Sequence, residues 1–86
     1  MNLSFTPQSW DDYQHWHQTD KKVLKRIHEL IKDTLRSPDE GIGKPEPLRQ
    51  ALSGYWSRRI TEEHRMVYRR IETGILIIQL RYRYKK

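Results

Sequence analysis

Apolar residues recur at helical spacing in the first part of the chain. Ser9 followed by Asp12 resembles a capping box and predicts the start of a short first helix. Thr19-Asp20 offers an N-cap for a second, longer helix, which Ser37-Pro38 ends. We therefore expect a helical hairpin whose longer helix packs on the core through an apolar stripe. The aromatic residues of the first helix are Trp10, Tyr13 and Trp16, and the stripe of the second helix comprises Val23, Leu24, Ile27, Leu30, Ile31 and Leu35.

An alternation of polar and apolar positions predicts short strands on both sides of this hairpin. Residues 2–6 favour an edge strand that ends at Pro7. Residues 36–47 carry three of the four prolines and two of the four glycines, so they are expected to form a loop. After this loop the pattern predicts strands near residues 48–51, 55–61, 65–71 and 75–84. This order of elements predicts one α+β domain over residues 1–86, with the helices on one face of a mainly antiparallel sheet.

The last predicted strand indicates which sheet face meets the helices. Its alternation places Leu76, Ile78, Leu80 and Tyr82 toward the helices. The opposite face should then be concave and lined with arginines. Such a surface repels itself, and a bound polyanion would explain it. The residues expected on that face are Ile75, Ile77, Gln79, Arg81 and Arg83 in the last strand. Arg59, Glu63 and Arg65 of the preceding hairpin share it provided that no bulge shifts the register of that hairpin.

Charge and composition restrict the partners. The chain has 17 Lys and Arg against 11 Asp and Glu, a net charge of +6, which favours nucleic acid, an acidic partner or anionic lipid. Many small proteins are basic for no specific reason, so charge alone favours nucleic acid only modestly. The absence of cysteine excludes a disulfide framework and thiol catalysis. Without a signal-peptide pattern or an apolar run near the ~20 residues of a membrane span, a cytoplasmic protein is expected.

The glycine-rich segment Gly41–Lys44 resembles a phosphate-binding loop, but Pro45 rather than a helix follows Lys44. Its glycines are instead predicted to allow a close approach that presents Lys44 and Glu46. The four histidines have no metal-ligand spacing, so we predict neither a metal nor a cofactor. His64 is expected to be a hydrogen-bonding structural residue.

Glu46 is the candidate general base. A glutamate exposed on a loop is the simpler interpretation, yet Pro45 and Pro47 restrict its backbone, which suits a positioned base. The segment from Gly43 to Tyr68 and the tail Arg81–Tyr84 add guanidinium and phenol groups. A base, cations for developing charge and a proton donor are what metal-free attack on a phosphodiester requires.

Several blocks of the sequence carry a family resemblance. GKPEPL, LSGYWSRRITEEHRMVY and the closing RYRY, together with SWDDY and HELIKDT, resemble the YoeB branch of the RelE superfamily over essentially the whole chain. These are toxins of type II toxin–antitoxin modules. The resemblance implies a microbial-ribonuclease-like fold and metal-independent cleavage of mRNA in the ribosomal decoding site. It also implies a YefM-type antitoxin whose acidic segment wraps the basic face, and it leaves open whether the free toxin forms a homodimer.

The resemblance assigns site residues. The family's glutamate falls on Glu46, its arginine on Arg65 and its last tyrosine on Tyr84, whereas Arg83 occupies the position of the family's histidine. A guanidinium has a pKa above ~12, so Arg83 is a poor general acid but a good phosphate ligand. Glu46, Arg65, Arg83 and Tyr84 are therefore the expected catalytic residues. The expected substrate-binding residues are Lys44, Arg49, Arg59, Glu63 and Arg81, and Lys85 and Lys86 add positive charge behind the site.

Two other functions stay open. Arg83 could leave a non-catalytic or attenuated toxin that binds the ribosome or RNA without cutting, and this is the stronger alternative. A poison of gyrase, like the ParE relatives of the superfamily, is the weaker one. Those relatives lack the glutamate, arginine and tyrosine that are present here.

Overall fold

The computed structural model describes residues 1–83. Their elements are β1 (Asn2–Phe5), α1 (Pro7–Thr19), α2 (Lys21–Arg36), β2 (Glu46–Pro47), a 3₁₀ turn (Gln50–Leu52), β3 (Tyr55–Arg59), β4 (Arg65–Ile71) and β5 (Gly74–Gln79). The strands form a five-stranded sheet in the order β1-β5-β4-β3-β2, with β1 parallel to β5 and the other neighbours antiparallel. The α+β class and the mainly antiparallel sheet are confirmed.

The first helix begins earlier than the predicted capping box. Thr6 is the N-cap, and its Oγ1 accepts the N–H of Ser9 at 3.2 Å. Asp12 instead accepts the N–H of Leu80 at 3.0 Å, and the Ser9 hydroxyl donates to the carbonyl of Ile77 at 2.7 Å. The proposed capping pair thus fastens α1 to the last strand, which local spacing could not reveal.

The second helix begins and ends as predicted. The Asp20 carboxylate accepts the N–H groups of Lys22 and Val23 at 3.1 and 3.2 Å, and Ser37 follows the last helical residue. None of the helices within residues 1–83 is long and apolar enough to cross a membrane.

The core lies between the two helices and one face of the sheet. The apolar stripe of α2 faces it, as predicted, and Trp56 packs against it rather than facing solvent. Burial of this apolar area is the main stabilising contribution to such a fold. The buried cluster comprises Trp16, Leu24, Ile27, Leu30, Ile60, Met66, Tyr68, Ile75, Ile77 and Leu80.

The prediction for the two faces of the last strand was wrong before Gln79. Ile75 and Ile77 are fully buried in the core, whereas Leu76 and Ile78 are only partly buried and do not belong to the core cluster. The strand also ends at Gln79 and not near residue 84.

A β-bulge explains this reversal. Val67 pairs with Gln79 and Tyr68 with Ile77, so Ile78 is an extra residue in β5. Leu80, beyond the bulge, is buried as predicted, but Tyr82 is 58% exposed and does not pack on the helices.

The strand expected near residues 48–51 was also misplaced. The edge strand β2 comes two residues earlier, at Glu46–Pro47, and Gln50 begins a 3₁₀ turn. Gln50 has φ +58°, a left-handed conformation outside the extended region of a regular strand. As a result Glu46 lies within the sheet edge, paired with Ser57 of β3.

Candidate functional site

One face of the sheet points away from the helices and collects charged side chains. Glu46 lies opposite Ser57, and Arg59 lies directly opposite Arg65. Because side chains alternate along a strand, these residues face away from Trp56 and Tyr68, which pack in the core. We call this surface the open face. From the strand register its residues are Glu46, Tyr55, Ser57, Arg59, Arg65, Val67, Arg69, Leu76 and Gln79.

The backbone of the β3–β4 loop holds Arg65 in place. Its Nη1 donates to the carbonyls of Thr61, Glu62 and His64 at 2.8, 3.0 and 3.1 Å. No other nitrogen of this guanidinium has a partner within residues 1–83. Arg65 is therefore oriented on one side while its remaining N–H donors can meet an anion.

The surroundings of Arg65 are predominantly positive. Burial lowers the pKa of Arg65, and the guanidinium groups of Arg59 and Arg83 lower it further, while Glu62 and Glu46 act in the opposite direction. Like charges that face each other across two strands destabilise a sheet. A bound phosphate would relieve this repulsion, so the geometry favours an anion beside a carboxylate.

A buried ion pair anchors the loop that leads to Glu46. Arg58 is fully buried, and its Nη1 donates to Oδ2 of Asp33 at 2.7 Å. The same guanidinium donates to three loop carbonyls and to a phenol, so all five of its N–H donors are directed at protein acceptors. These acceptors are the carbonyls of Ser37 at 2.6 Å, Glu40 at 2.9 Å and Ile42 at 3.1 Å, and the hydroxyl of Tyr68 at 3.0 Å.

Asp33 completes this anchor. Hydrogen bonds from Arg36, from the N–H of Ile42 and from Arg58 lower the pKa of Asp33 from 3.8 to about 2, against the opposing effect of burial. The carboxylate is thus ionised at neutral pH and connects α2 to the loop at 2.9 Å through Ile42.

Two glycines permit this close approach, as predicted. A Cβ on Gly41 would lie 2.0 Å from Oδ2 of Asp33, and a Cβ on Gly43 would lie 2.6 Å from a methyl group of Leu30. Both residues have positive φ, at +123° and +80°. The carbonyl of Gly43 accepts the N–H of Arg59 at 2.7 Å, which fixes the start of β2 beside β3.

His64 holds the segment that precedes Arg83. Its Nδ1 accepts the N–H of Tyr82 at 2.8 Å, and its ring packs edge-on against Trp16 with centroids 4.8 Å apart. Burial lowers the pKa of His64, which favours the neutral imidazole that this hydrogen bond requires. These contacts agree with the structural role expected for this histidine.

Arg83 joins the group around Arg65. Its Nη2 donates to the carbonyl of Glu62 at 3.2 Å, and the same carbonyl accepts from Arg65. Arg81 is partly buried, and its guanidinium lies 4.7 Å from the centre of the Tyr82 ring. Tyr84, the expected proton donor, lies outside the described residues.

The other residues expected to bind substrate lie in the loops around the open face. Lys44 and Glu63 are exposed in the loops before β2 and after β3, and Arg49 precedes the 3₁₀ turn near the opposite end of the sheet. Within residues 1–83 no hydrogen bond or ion pair joins them to Glu46 or Arg65. The strand register and the charges that act on Arg65 group Glu46 with Arg59, Arg65 and Arg83. Lys44, Arg49 and Glu63 are not among the groups that lower or raise the pKa of Arg65 most.

Sequence reasoning missed Arg58 and Asp33. A signal was present, because Arg58 alternates with Trp56 and Ile60 and so falls on the core side of its strand. Asp33 likewise interrupts the apolar stripe three residues after Leu30. Charged residues at core positions indicate that each needs a buried partner. Among residues 1–83 no three His, Asp or Glu side chains form a group that could hold a metal ion.

The fold indicates the class of protein to which the chain belongs. A two-helix layer on one side of a mixed five-stranded sheet is the architecture of RelE-type toxins. The family model for the YoeB-like toxin of bacterial type II toxin–antitoxin systems matches residues 5–84. The chain belongs to this family.

Named relatives support this assignment. The chain is 58% identical over 84 residues to Toxin YoeB of Escherichia coli K12, covering 98% of this chain and 100% of the relative. A YoeB/ParE toxin structure from Agrobacterium tumefaciens is similar at a TM-score of 0.94 and 48% identity, over 98% and 100% of the two chains. YoeB of Staphylococcus aureus is similar both as a dimer (TM-score 0.91, 47% identity) and as a complex with YefM (TM-score 0.90, 46% identity), over 98% of each chain.

Proposed function

We propose that this toxin is a metal-independent endoribonuclease that cleaves mRNA in the ribosomal decoding site, with residues 1–86 as its single domain. The observation that carries the proposal is the grouping of Glu46 with the arginine cluster of the open face. The cluster consists of Arg59, Arg65 and Arg83, and its mutual repulsion supports an anionic ligand.

The proposed reaction is an in-line transfer. Glu46 accepts the proton of the 2′-hydroxyl, and the 2′-oxygen forms a bond to the adjacent phosphorus. The bond from phosphorus to the 5′-oxygen then breaks, which leaves a 2′,3′-cyclic phosphate and a 5′-hydroxyl. Arg65, held by three carbonyls, meets the pentavalent phosphorus with little reorganisation. In this scheme Tyr84 supplies the proton to the leaving 5′-oxygen.

Arg83 defines the alternative. Its Nη2 donates to the Glu62 carbonyl beside Arg65, and this supports a role in electrostatic stabilisation rather than proton donation. If Tyr84 does not replace the missing acid, the toxin binds the ribosome and RNA but cuts slowly or not at all. Loss of one acid–base group typically lowers a rate ~10²–10⁴-fold.

The partners follow from the same surface. An antitoxin of the YefM type, bound through an acidic segment, would neutralise the arginine cluster, and the YefM complex of the Staphylococcus aureus relative supports this. A homodimer is supported by the dimer of the same relative. Because the ribosome is the proposed target, the proposed location is the cytoplasm.

The test uses ribosomes stalled on a defined message, to which the toxin, Glu46→Gln or Glu72→Gln is added before new 5′ ends are mapped. Glu72 is an exposed glutamate in the β4–β5 turn, so it controls for the charge change. We expect a cut in the decoding-site codon that Glu46→Gln abolishes and Glu72→Gln retains. If Glu46→Gln cuts as fast as the parent toxin, Glu46 is not the general base. Ribosome binding without any cut would establish the alternative, and rescue by Arg83→His would trace it to the missing imidazole.

A further inference from the structure

A second cationic group lies on the open face, away from the arginine cluster. Tyr55 of β3 pairs directly with Arg69 of β4, and the Arg69 guanidinium lies 5.6 Å from the centre of the Tyr55 ring. Arg69 is exposed, and Tyr55 is partly exposed. The guanidinium therefore lies over the face of the ring, in a cation–π contact at the surface.

This pair lies on the same face of the sheet as the proposed cleavage site. Tyr55 precedes Arg59 by four residues in β3, and Arg69 follows Arg65 by four residues in β4. An even separation puts them on one face, and a rise of ~3.3 Å per residue places them ~13 Å apart along the strands. A strand of RNA cleaved at Arg65 would thus bring a neighbouring nucleotide, and not the scissile phosphate, to Tyr55.

No carboxylate compensates the charge of Arg69 within the described fold. Neither its guanidinium nor that of Arg49 has a carboxylate within ion-pair distance among residues 1–83. Arg49 belongs to the same end of the sheet, because it follows Leu48, whose N–H donates to the carbonyl of Tyr55 at 2.9 Å. This end of the sheet thus carries two cations without a carboxylate partner, and one of them lies over an aromatic ring.

We propose that Tyr55 and Arg69 form a subsite for a nucleotide of single-stranded RNA adjacent to the cleaved bond, a role that rests on the proposed function. The base stacks on the exposed part of this cation–π pair, and Arg69 donates to a neighbouring phosphate. Stacking on aromatic rings and arginine planes, combined with phosphate contacts, is how proteins bind single strands without reading sequence.

An acidic peptide is the competing occupant of the same surface. It would use the charge of Arg69 but gain little from the adjacent ring. The occupants can therefore be separated by changing the ring and the charge one at a time.

The chain offers a matched control, because Arg70 follows Arg69 and points to the opposite side of the sheet. Arg70 is also exposed, so Arg69→Gln and Arg70→Gln remove the same charge one residue apart. Each variant, with Tyr55→Leu and Tyr55→Phe, is made in the Glu46→Gln background. Binding of a labelled single-stranded RNA is measured by anisotropy over a range of salt concentrations, and an abasic strand of the same length serves as the second probe.

We expect Arg69→Gln to weaken binding and to reduce the slope of log K against log salt by about 0.7, the value for one phosphate contact on a single strand. Tyr55→Leu should weaken binding roughly 5-fold or more on the normal strand and leave the abasic strand unaffected, while Tyr55→Phe retains binding. Arg70→Gln should change neither. Three results would overturn the subsite. The first is an equal loss of RNA affinity in Arg69→Gln and Arg70→Gln, and the second is an unchanged affinity in both Tyr55→Leu and Arg69→Gln. The third is the absence of RNA binding by the parent. A loss confined to an acidic antitoxin peptide would assign the surface to that partner instead.

Cleavage on stalled ribosomes, with Glu46 intact, separates this proposal from the proposed function. The subsite variants should raise KM and leave kcat nearly unchanged, because a contact outside the reacting bond stabilises bound substrate and transition state alike. If these variants cleave normally with an unchanged KM, the subsite proposal is wrong and the nuclease proposal stands. If the protein does not cleave but shows the expected differences in RNA binding, the nuclease proposal is wrong and the subsite proposal stands.

Discussion

Replacement of Asp33 by asparagine tests the buried anchor that holds the loop before Glu46. The substitution keeps the shape of the side chain and removes the negative charge that Arg58 meets at 2.7 Å. A pKa lowered from 3.8 to about 2 corresponds to about 2 kcal/mol of stabilisation, at ~1.4 kcal/mol per tenfold change in proton affinity. Removing one partner of a buried ion pair typically costs ~3–5 kcal/mol. Asparagine still offers an oxygen to Arg58, so we expect a loss between the value from the pKa and the lower end of this range, about 2–3 kcal/mol.

The pH dependence identifies the cause of that loss. Because folding lowers the pKa of Asp33, its stabilising contribution is complete above pH ~4 and disappears as the pH falls toward about 2. The difference in unfolding free energy between the parent and Asp33→Asn should thus be about 2–3 kcal/mol at pH 6 and should shrink by about 2 kcal/mol near pH 2.

Urea denaturation followed by tryptophan fluorescence measures this difference, since Trp16 is buried in the core. Urea is preferred because guanidinium salts screen charges. Asp11→Asn, at an exposed position of α1, is the control and should have little effect. A difference that stays constant from pH 6 to pH 2, or an absent difference at pH 6, would refute the assignment of the stabilisation to the ionised carboxylate.

Further predictions concern the proton donor, the loop and the tail. With arginine in place of the family's histidine, the cleavage rate should not fall between roughly pH 6 and 8, whereas Arg83→His should introduce such a falling limb in the measured pH–rate profile. Gly41→Ala should destabilise the fold far more than Gly54→Ala, as measured by thermal unfolding. Both residues have positive φ, but an added Cβ meets Asp33 at 2.0 Å only at Gly41, and similar losses would contradict this packing argument. Folding lowers the pKa of His64, so protonation below pH ~6.5 opposes the folded state. His64→Gln should therefore flatten the loss of stability on acidification below that pH, and an unchanged slope would exclude His64 as its source.

Local periodicity predicted much of the fold because helices and their caps depend on neighbouring residues. The stripe of α2 and its Asp20 cap follow directly from the spacing of side chains. The face of β5 could not be predicted in the same way. Its bulge at Ile78 depends on pairing with β4, and a single extra residue reverses every side chain that precedes it.

The candidate site shows the same division. The flanking prolines made Glu46 a candidate and the family resemblance assigned it the role of base, which stays a prediction. The common parity of Arg59 and Arg65 in one hairpin predicted that they share a face, and the strand register confirms this. Spacing alone could not show which arginine has a structural role. The hydrogen-bond acceptors of Arg58 lie in α2 and the following loop, up to 25 residues away in the sequence. Only the fold brings these acceptors together.

The number of occupied N–H donors distinguishes the two kinds of arginine in this toxin. Arg58 directs all five donors at protein acceptors and is fully buried, so it has none left for a substrate. Arg65 uses one nitrogen atom for its own loop and keeps the others at the surface, within residues 1–83. Repulsion within the arginine cluster costs stability, which contacts elsewhere in the fold must offset. The Arg58–Asp33 pair is one such contact, and it anchors the loop that leads to Glu46. Stability and the proposed chemistry are thus assigned to neighbouring residues of one strand, Arg58 on the core side and Arg59 on the open face.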